Sequence, residues 1–212
     1  MDTDKCRKEE GDFHWPDFGP YWRLRKKYSG GVTGSPIFVF EDAGQERCAR
    51  GVLARMPAVN GLAVRVEKVR GLRDARGEVH GGAFLRERRI ALDCTRAEFP
   101  RIFAHEAAHF VWLRLGNAVR RSYEEVVKAE IAEGARGELG WSAEWRKAAL
   151  AGEDAERRSR RWREYCCESF CDTAAWMYSR IAGHEEFTLG QARRRVRRAW
   201  FGHNMMRRAL SI

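Results

Sequence analysis

The 212-residue sequence lacks any apolar run near the roughly 20 residues that a membrane-spanning helix requires. Its N-terminus also lacks the apolar core behind a basic start that marks a secretory signal. Six cysteines are present, but none has the paired C-x-x-C spacing of a structural zinc site, and we interpret them as free thiols. We therefore expect a cytoplasmic protein without membrane contacts.

Lysine is scarce, and the basic charge is unevenly distributed. The formal charge is +10, and residues 193 to 208 contribute seven arginines and no acid. One face of a helix in this region would carry Leu189, Ala192, Val196, Trp200 and His203. We therefore predict a basic C-terminal helix that docks through this apolar face. A phosphate-binding surface for nucleic acid over Arg193–Arg208 is the less favoured alternative, and an acidic protein substrate is a third.

The length and composition fit one globular domain with an appendage. Residues 1–35 mix charges, aromatic residues, prolines and glycines without a sustained period. We predict an irregular N-terminal segment there, with Trp15 and Trp22 packing onto the domain. Residues 36–212 are predicted to form a single domain.

Secondary-structure patterns change from strand to helix near residue 95. Apolar runs and alternation predict strands at 36–40, 62–66, 79–85 and 89–93, with a short helix at 45–56. Thr95 and Glu98 resemble a capping box, with Pro100 in the first turn of the following helix, which a stop signal ends at 116–117. Further helices are predicted at 120–133, 142–151, 155–182 and 189–210. The predicted fold class is α+β: a small N-terminal mixed sheet followed by a helical half.

The pentapeptide His105-Glu106-Ala107-Ala108-His109 has the spacing of a metal-binding helix. Residues four apart lie on the same helix face, so both imidazoles can reach one ion, while Glu106 can reach a water on that ion. Composition alone would produce this pattern in about 2 of 100 such sequences. Apolar neighbours such as Phe103 and Phe110 are also atypical of a solvated surface helix. We predict that His105 and His109 bind Zn²⁺ and that Glu106 is the general base.

A catalytic zinc ion usually takes three protein ligands and keeps one position open. Trp112 and Leu115 occupy the positions where an H-E-x-x-H-x-x-G-x-x-H motif has glycine and histidine, so another element must supply the third ligand. We predict Glu168 for this role and Asp172, one turn later, as a hydrogen-bond acceptor that orients a ligand histidine. The alternative third ligands are Glu124, Glu125, Glu164 and His184, and a solvated acidic stripe would also fit the spacing.

These motifs resemble those of known zinc enzymes. The motif at 105–109 and the Glu168-x-x-x-Asp172 pair resemble the gluzincin arrangement of zinc metallopeptidases. The segment Glu168-x-x-Cys171-Asp172-x-Ala174-Ala175 is similar to the E-x-x-A-N-x-F-A signature of the ImmA/IrrE family, whose members cleave regulatory proteins. The resemblance covers about residues 85 to 182, with substitutions at Cys171, Asp172, Ala174 and Ala108.

The resemblance implies a zincin-like catalytic domain with His105, His109 and Glu168 as ligands and Glu106 as general base. It also implies an edge strand beside the site that binds extended substrate by β-addition. The stabiliser of the developing oxyanion is left open among Tyr165, Tyr178 and His184.

The resulting hypothesis is a zinc-dependent hydrolase, a peptidase acting on a protein or peptide. The alternative is a nucleic-acid-associated or regulatory binding protein whose metal is structural or non-catalytic. A third interpretation is a zincin that binds a partner without cleaving it.

Overall fold

The computed structural model describes residues 37–75, 77–206 and 209–212. The predicted irregular segment of residues 1–35, with Trp15 and Trp22, lies outside the described residues. Within them, an N-terminal mixed sheet precedes a half made mainly of helices, so the predicted α+β fold is confirmed. One buried hydrophobic core includes residues from both halves, from Phe38 to Ile212.

The strands are short and concentrated before residue 93. They are β1 (Phe38–Phe40), β2 (Val59–Asn60), β3 (Val64–Lys68), β4 (Arg73–Asp74), β5 (Gly77–Glu78), β6 (Gly81–Phe84), β7 (Arg89–Leu92) and β8 (Leu210–Ser211). Four of them form the main sheet in the order β1-β3-β7-β6. The β1-β3 and β3-β7 pairs are parallel, whereas β6 is antiparallel to β7 and lies at the edge of the sheet.

The helices found in the described ranges number seven. They are α1 (Ala43–Leu53), α2 (Phe99–Arg114), α3 (Asn117–Ala132), α4 (Trp141–Ala148), α5 (Asp154–Arg157), α6 (Arg160–Tyr178) and α7 (Gln191–Asn204). Helix α2 packs against α6 and also contacts β6 and β7, so it joins the sheet to the helical half. No helix in these ranges has both the length and the apolar composition that crossing a bilayer requires.

Burial explains why the central strands form where the sequence predicts them. In β3, Val64 and Val66 are fully buried while Arg65 between them is exposed, the alternation expected of a half-buried strand. In β7, Ile90–Leu92 are all buried because the strand lies between β3 and β6 under α2.

The start of α2 uses only half of the predicted capping box. The Thr95 hydroxyl accepts a hydrogen bond from the Glu98 amide at 3.3 Å, but the helix itself begins at Phe99. The Glu98 carboxylate does not return to Thr95. It binds Arg101 at 2.7 Å and lies 3.4 Å from His184 instead. Pro100 occupies the first turn as predicted, where its missing N–H costs nothing.

The helix predicted at 155–182 is two helices. Arg158 adopts a left-handed conformation with φ 46°, which ends α5 after one turn. Ser159 then caps α6, its side chain accepting a hydrogen bond from the Trp162 amide at 3.2 Å. Two residues, Arg158 and Ser159, therefore separate the end of α5 from the beginning of α6.

The helix predicted at 189–210 is also shorter than expected. It begins at Gln191 after Gly190, which offers no side-chain cap, and ends at Asn204. Leu210–Ser211 then form β8 and pair in parallel with Val59–Asn60 of β2. The end of the described chain therefore returns to the N-terminal half.

The predicted apolar face of the last helix is only partly correct, since Leu189 and Trp200 are buried as predicted and the other three residues are not. Ala192, Val196 and His203 are exposed, whereas Arg197, Trp200 and Phe201 are buried. Arg197 is fully buried because it satisfies its charge with two acids. Its guanidinium lies 2.6 Å from a Glu130 oxygen and 2.7 Å from a Glu138 oxygen. Arg197, which the sequence places in the basic segment, is thus the polar centre of this interface.

Other arginines of this helix also have partners within the chain. Arg193 forms an ion pair with Glu133, Arg194 donates to the carbonyl oxygens of Leu189 and Phe187, and Arg198 lies over the ring of Trp176. The last two arginines of the basic segment, at 207 and 208, lie outside the described residues. Nucleic-acid binding through Arg193–Arg208 stays a prediction.

Candidate metal centre

The predicted site residues come together where α2 packs against α6. His105 and His109 lie one turn apart on α2, and Glu168 and Asp172 lie one turn apart on α6. Each of the four side chains is at most 12% exposed. Residues four apart in a helix lie on the same face, so the two members of each pair are directed together into the interface between the helices.

Three ligand-type atoms converge in this interface. The Nε2 atoms of His105 and His109 are 3.2 Å apart, and Glu168 Oε2 lies 3.3 Å from the first and 3.9 Å from the second. A tetrahedral ion with bonds of about 2.0–2.1 Å holds its ligand atoms about 3.3 Å apart. The three residues therefore form a group that could hold a metal ion.

The carboxylates around His105 also favour a positive charge between these atoms. Asp172 Oδ1 lies 2.8 Å from His105 Nδ1, which identifies Nδ1 as the hydrogen-bond donor and directs the Nε2 lone pair toward Glu168. Burial lowers the pKa of His105, but the carboxylates of Asp172 and Glu168 raise it more, and the net shift is well upward. The carboxylates therefore favour a positive charge at Nε2, which a proton on the ring or a bound metal ion can supply.

Asp172 is itself fixed by the start of α4. Its second oxygen accepts a hydrogen bond from the Ala143 amide at 3.1 Å. Gly140, the residue before α4, lies so close that an added Cβ would be 2.2 to 2.4 Å from the Asp172 carboxylate. The φ of Gly140 is −179°, an extended conformation that any residue can adopt. Glycine is therefore required here because there is no space for a side chain.

Replacing Gly140 with alanine is expected to lower the free energy of unfolding by about 1–3 kcal/mol, because the added methyl group must displace the Asp172 carboxylate. Urea unfolding followed by circular dichroism measures this change. The matched control is Gly152→Ala, since a Cβ at Gly152 meets nothing within 4 Å. Equal stability of the two variants would contradict the close approach at Gly140.

The other oxygen of Glu168 has a basic partner. Arg146 of α4 places its guanidinium 3.3 Å from Glu168 Oε1, which leaves Oε2 facing the two imidazoles. Burial raises the pKa of Glu168, but His109, His105 and Arg146 lower it more, and the net shift is downward. Glu168 is therefore held as a carboxylate, the form that binds metal ions.

Glu106 lies beside this group and does not join it. The residue is 7% exposed, and its carboxylate approaches the edge strand so closely that a Cβ at Gly81 would lie 2.8 Å from Glu106 Oε1. Burial raises the pKa of Glu106 even though the neighbouring imidazoles of His105 and His109 oppose the shift. A buried carboxylate with a raised pKa suits proton transfer near neutral pH.

His109 has a sulfur neighbour on the side opposite the group. Cys167 Sγ lies 3.5 Å from His109 Nδ1, so a hydrogen bond from the ring to sulfur can orient His109 as Asp172 orients His105. Burial lowers the pKa of His109, but Cys167 and Glu168 raise it to about 9. The second imidazole is thus also surrounded by negative or polarisable groups.

The alternative third ligands pair elsewhere or lie on the surface. Glu124 binds Arg158 at 2.7 Å, Glu164 binds Arg160 at 2.7 Å, and His184 lies 3.4 Å from Glu98. Glu125 is exposed. Of the oxyanion candidates, Tyr165 donates to Glu138 at 2.6 Å and Tyr178 to the sulfur of Met206 at 3.8 Å, so neither hydroxyl points to the group.

Three neighbours of the group were not predicted from the sequence: Arg146, Gly140 and Cys167. Arg146 is one arginine among many, and no fixed spacing links it to Glu168. Gly140 shows its role only through the approach of Asp172. Cys167 was interpreted with the other cysteines as a free thiol, and its contact with His109 depends on how α2 packs against α6.

Comparisons with known proteins do not extend these observations. No family model, no curated protein and no solved structure matches the chain. The functional interpretation therefore depends on the geometry of the group itself.

Proposed function

We propose that this protein is a zinc-dependent hydrolase, a peptidase, with His105, His109 and Glu168 as zinc ligands. The observation that carries this proposal is the convergence of two Nε2 atoms and one carboxylate oxygen at 3.2, 3.3 and 3.9 Å. Two nitrogens and one oxygen are the ligand set of many catalytic zinc sites, which leave a fourth position for water.

A zinc ion in such a site supplies Lewis acidity and lowers the pKa of a bound water to about 7. Glu106 follows His105 on α2, and its carboxylate is buried beside the group. We assign it the role of general base, which takes a proton from the attacking water and returns it to the leaving nitrogen. The raised pKa of Glu106 supports this role, because the group must both accept and release a proton.

A peptide substrate is supported by the strand next to Glu106. Strand β6 lies at the edge of the main sheet, contacts α2, and brings Gly81 against Ile102 and Glu106. An edge strand presents unpaired backbone donors and acceptors that an extended peptide can pair with. We propose that the substrate backbone adds to β6, which would place a peptide bond near Glu106 and the metal group.

Replacing Glu106 with glutamine should leave zinc bound and reduce hydrolysis by about 10²- to 10⁴-fold, because the amide cannot accept the proton. Purified protein is incubated with a mixture of unfolded peptides, and new termini are counted by mass spectrometry. Zinc content is measured on the same samples. Glu125→Gln, which changes an exposed acid on α3, is the matched control and should cleave like the wild type.

Two results would count against the proposed function. Full cleavage by Glu106→Gln would remove Glu106 from the mechanism. A wild type that holds zinc but cleaves no peptide in the mixture would favour the alternative of a non-catalytic metal site.

A further inference from the structure

A second group of ligand-type atoms adjoins the first one. Cys167 and Cys171 lie one turn apart on α6 and face His109 of α2, and the two sulfurs and a ring nitrogen of His109 all lie within 4.8 Å of one another. Cys171 is fully buried, whereas Cys167 is partly exposed. The two cysteines are not zinc ligands in the proposed hydrolysis, whereas His109 belongs to both groups.

The distance between Cys167 and His109 matches the one that a metal ion imposes. Zinc bonds of about 2.0–2.1 Å to nitrogen and about 2.3 Å to sulfur place tetrahedral ligand atoms about 3.5 Å apart. Cys167 Sγ and His109 Nδ1 are 3.5 Å apart. Two cysteine sulfurs and one imidazole also form a soft ligand set, which selects thiophilic ions over magnesium or calcium.

We propose that Cys167, Cys171 and Nδ1 of His109 form a second metal site, which binds a thiophilic ion such as Cd²⁺, Cu⁺ or excess Zn²⁺. Binding replaces the two thiol protons and the Nδ1 proton, all of which leave to solvent. The inference goes beyond the proposed hydrolysis and does not require it.

The two groups share His109 through opposite nitrogens of its ring. Nε2 faces His105 at 3.2 Å, and Nδ1 faces Cys167. An ion on Nδ1 therefore changes the charge and orientation of a ring that the first group also uses. An excess of a thiophilic ion that fills the second site should therefore affect the first group through His109.

Cadmium titration of zinc-loaded protein tests the second site, since cadmium bound to thiolate has a charge-transfer absorption in the ultraviolet. The wild type should show this band with saturation near one added equivalent. Cys167→Ser should lose most of the band and weaken cadmium binding at least about tenfold. Cys48→Ser, which changes a partly buried cysteine of α1, is the matched control and should keep the band.

Further variants separate this inference from the proposed function. Cys171→Ser should also lose the band, and if that buried substitution prevents folding, Cys167→Ser decides alone. Glu168→Gln should keep the cadmium–thiolate band while losing zinc from the first group. Absence of the band in the wild type, or an unchanged band in Cys167→Ser, would overturn the second site and leave Cys167 as a hydrogen-bond acceptor for His109. Neither outcome changes the zinc content that tests the first group.

Discussion

Replacing Glu168 with alanine should reduce the zinc content of the purified protein from about one ion per chain to less than about a tenth of that value. The variant keeps two imidazoles but loses the carboxylate, so the ion would have only two protein ligands. It also loses the negative charge that lies 3.3 Å from His105 and 3.9 Å from His109. Zinc is measured by mass spectrometry after dialysis against a weak chelator.

The matched control is Glu164→Ala, one turn earlier on the same helix. Glu164 binds Arg160 at 2.7 Å and not the histidines, so this variant should keep its zinc. Glu168→Gln preserves the shape of the side chain and covers the case in which alanine disturbs packing at the buried position. Retention of stoichiometric zinc by both Glu168 variants, or its loss in Glu164→Ala, would contradict the assignment.

The same variants can be compared by thermal unfolding. An ion that binds only the folded state raises the unfolding temperature in proportion to the logarithm of its concentration above Kd. Added zinc should therefore stabilise the wild type and Glu164→Ala and have little effect on Glu168→Ala. This readout does not depend on finding a substrate.

Much of the candidate site could be predicted because its geometry is local. The spacing of His105 and His109 fixes their common face on α2, and the same spacing links Glu168 with Asp172 on α6. The packing of α2 against α6 could not be predicted from these local spacings. Arg146 could not be predicted, because it reaches Glu168 from a third helix whose position depends on tertiary contacts.

The errors in the predicted fold have a similar origin. Strand β8 has two residues, too few to show a pattern, and it pairs with Val59–Asn60 about 150 residues earlier. The face of α7 was misassigned because arginine was treated as a solvent-facing residue. A buried arginine is stable only beside acids from other elements, and the sequence of α7 does not contain them.

The buried ion pairs of Arg197 predict a large loss of stability when that residue is replaced. Arg197→Met keeps a similar side-chain length but removes the guanidinium from Glu130 and Glu138, which are 1% and 0% exposed, and leaves Glu138 with Lys147 at 3.5 Å as its remaining cationic partner. Removing one partner of a buried pair costs about 3–5 kcal/mol, because an uncompensated charge stays in the interior. Urea unfolding at neutral pH measures the change. Arg195→Met, on the exposed face of the same helix, should change stability by less than about 0.5 kcal/mol.

The dependence of this loss on pH identifies its cause. Burial raises the pKa of Glu138, but Arg197 and Lys147 lower it more, so the net shift is downward. A lowered pKa stabilises the folded state above the unfolded value of about 4.3 and ceases to do so as the pH falls through the folded value. In Arg197→Met the buried acids lack this counter-ion and protonate more readily as the pH falls. Protonation removes the uncompensated charges, so the loss of stability in the variant becomes smaller in acid. The stability difference between wild type and variant should therefore be largest near neutral pH and shrink as the pH falls. A difference that stays constant with pH would mean that Arg197 stabilises α7 through packing of its side chain and not through its charge.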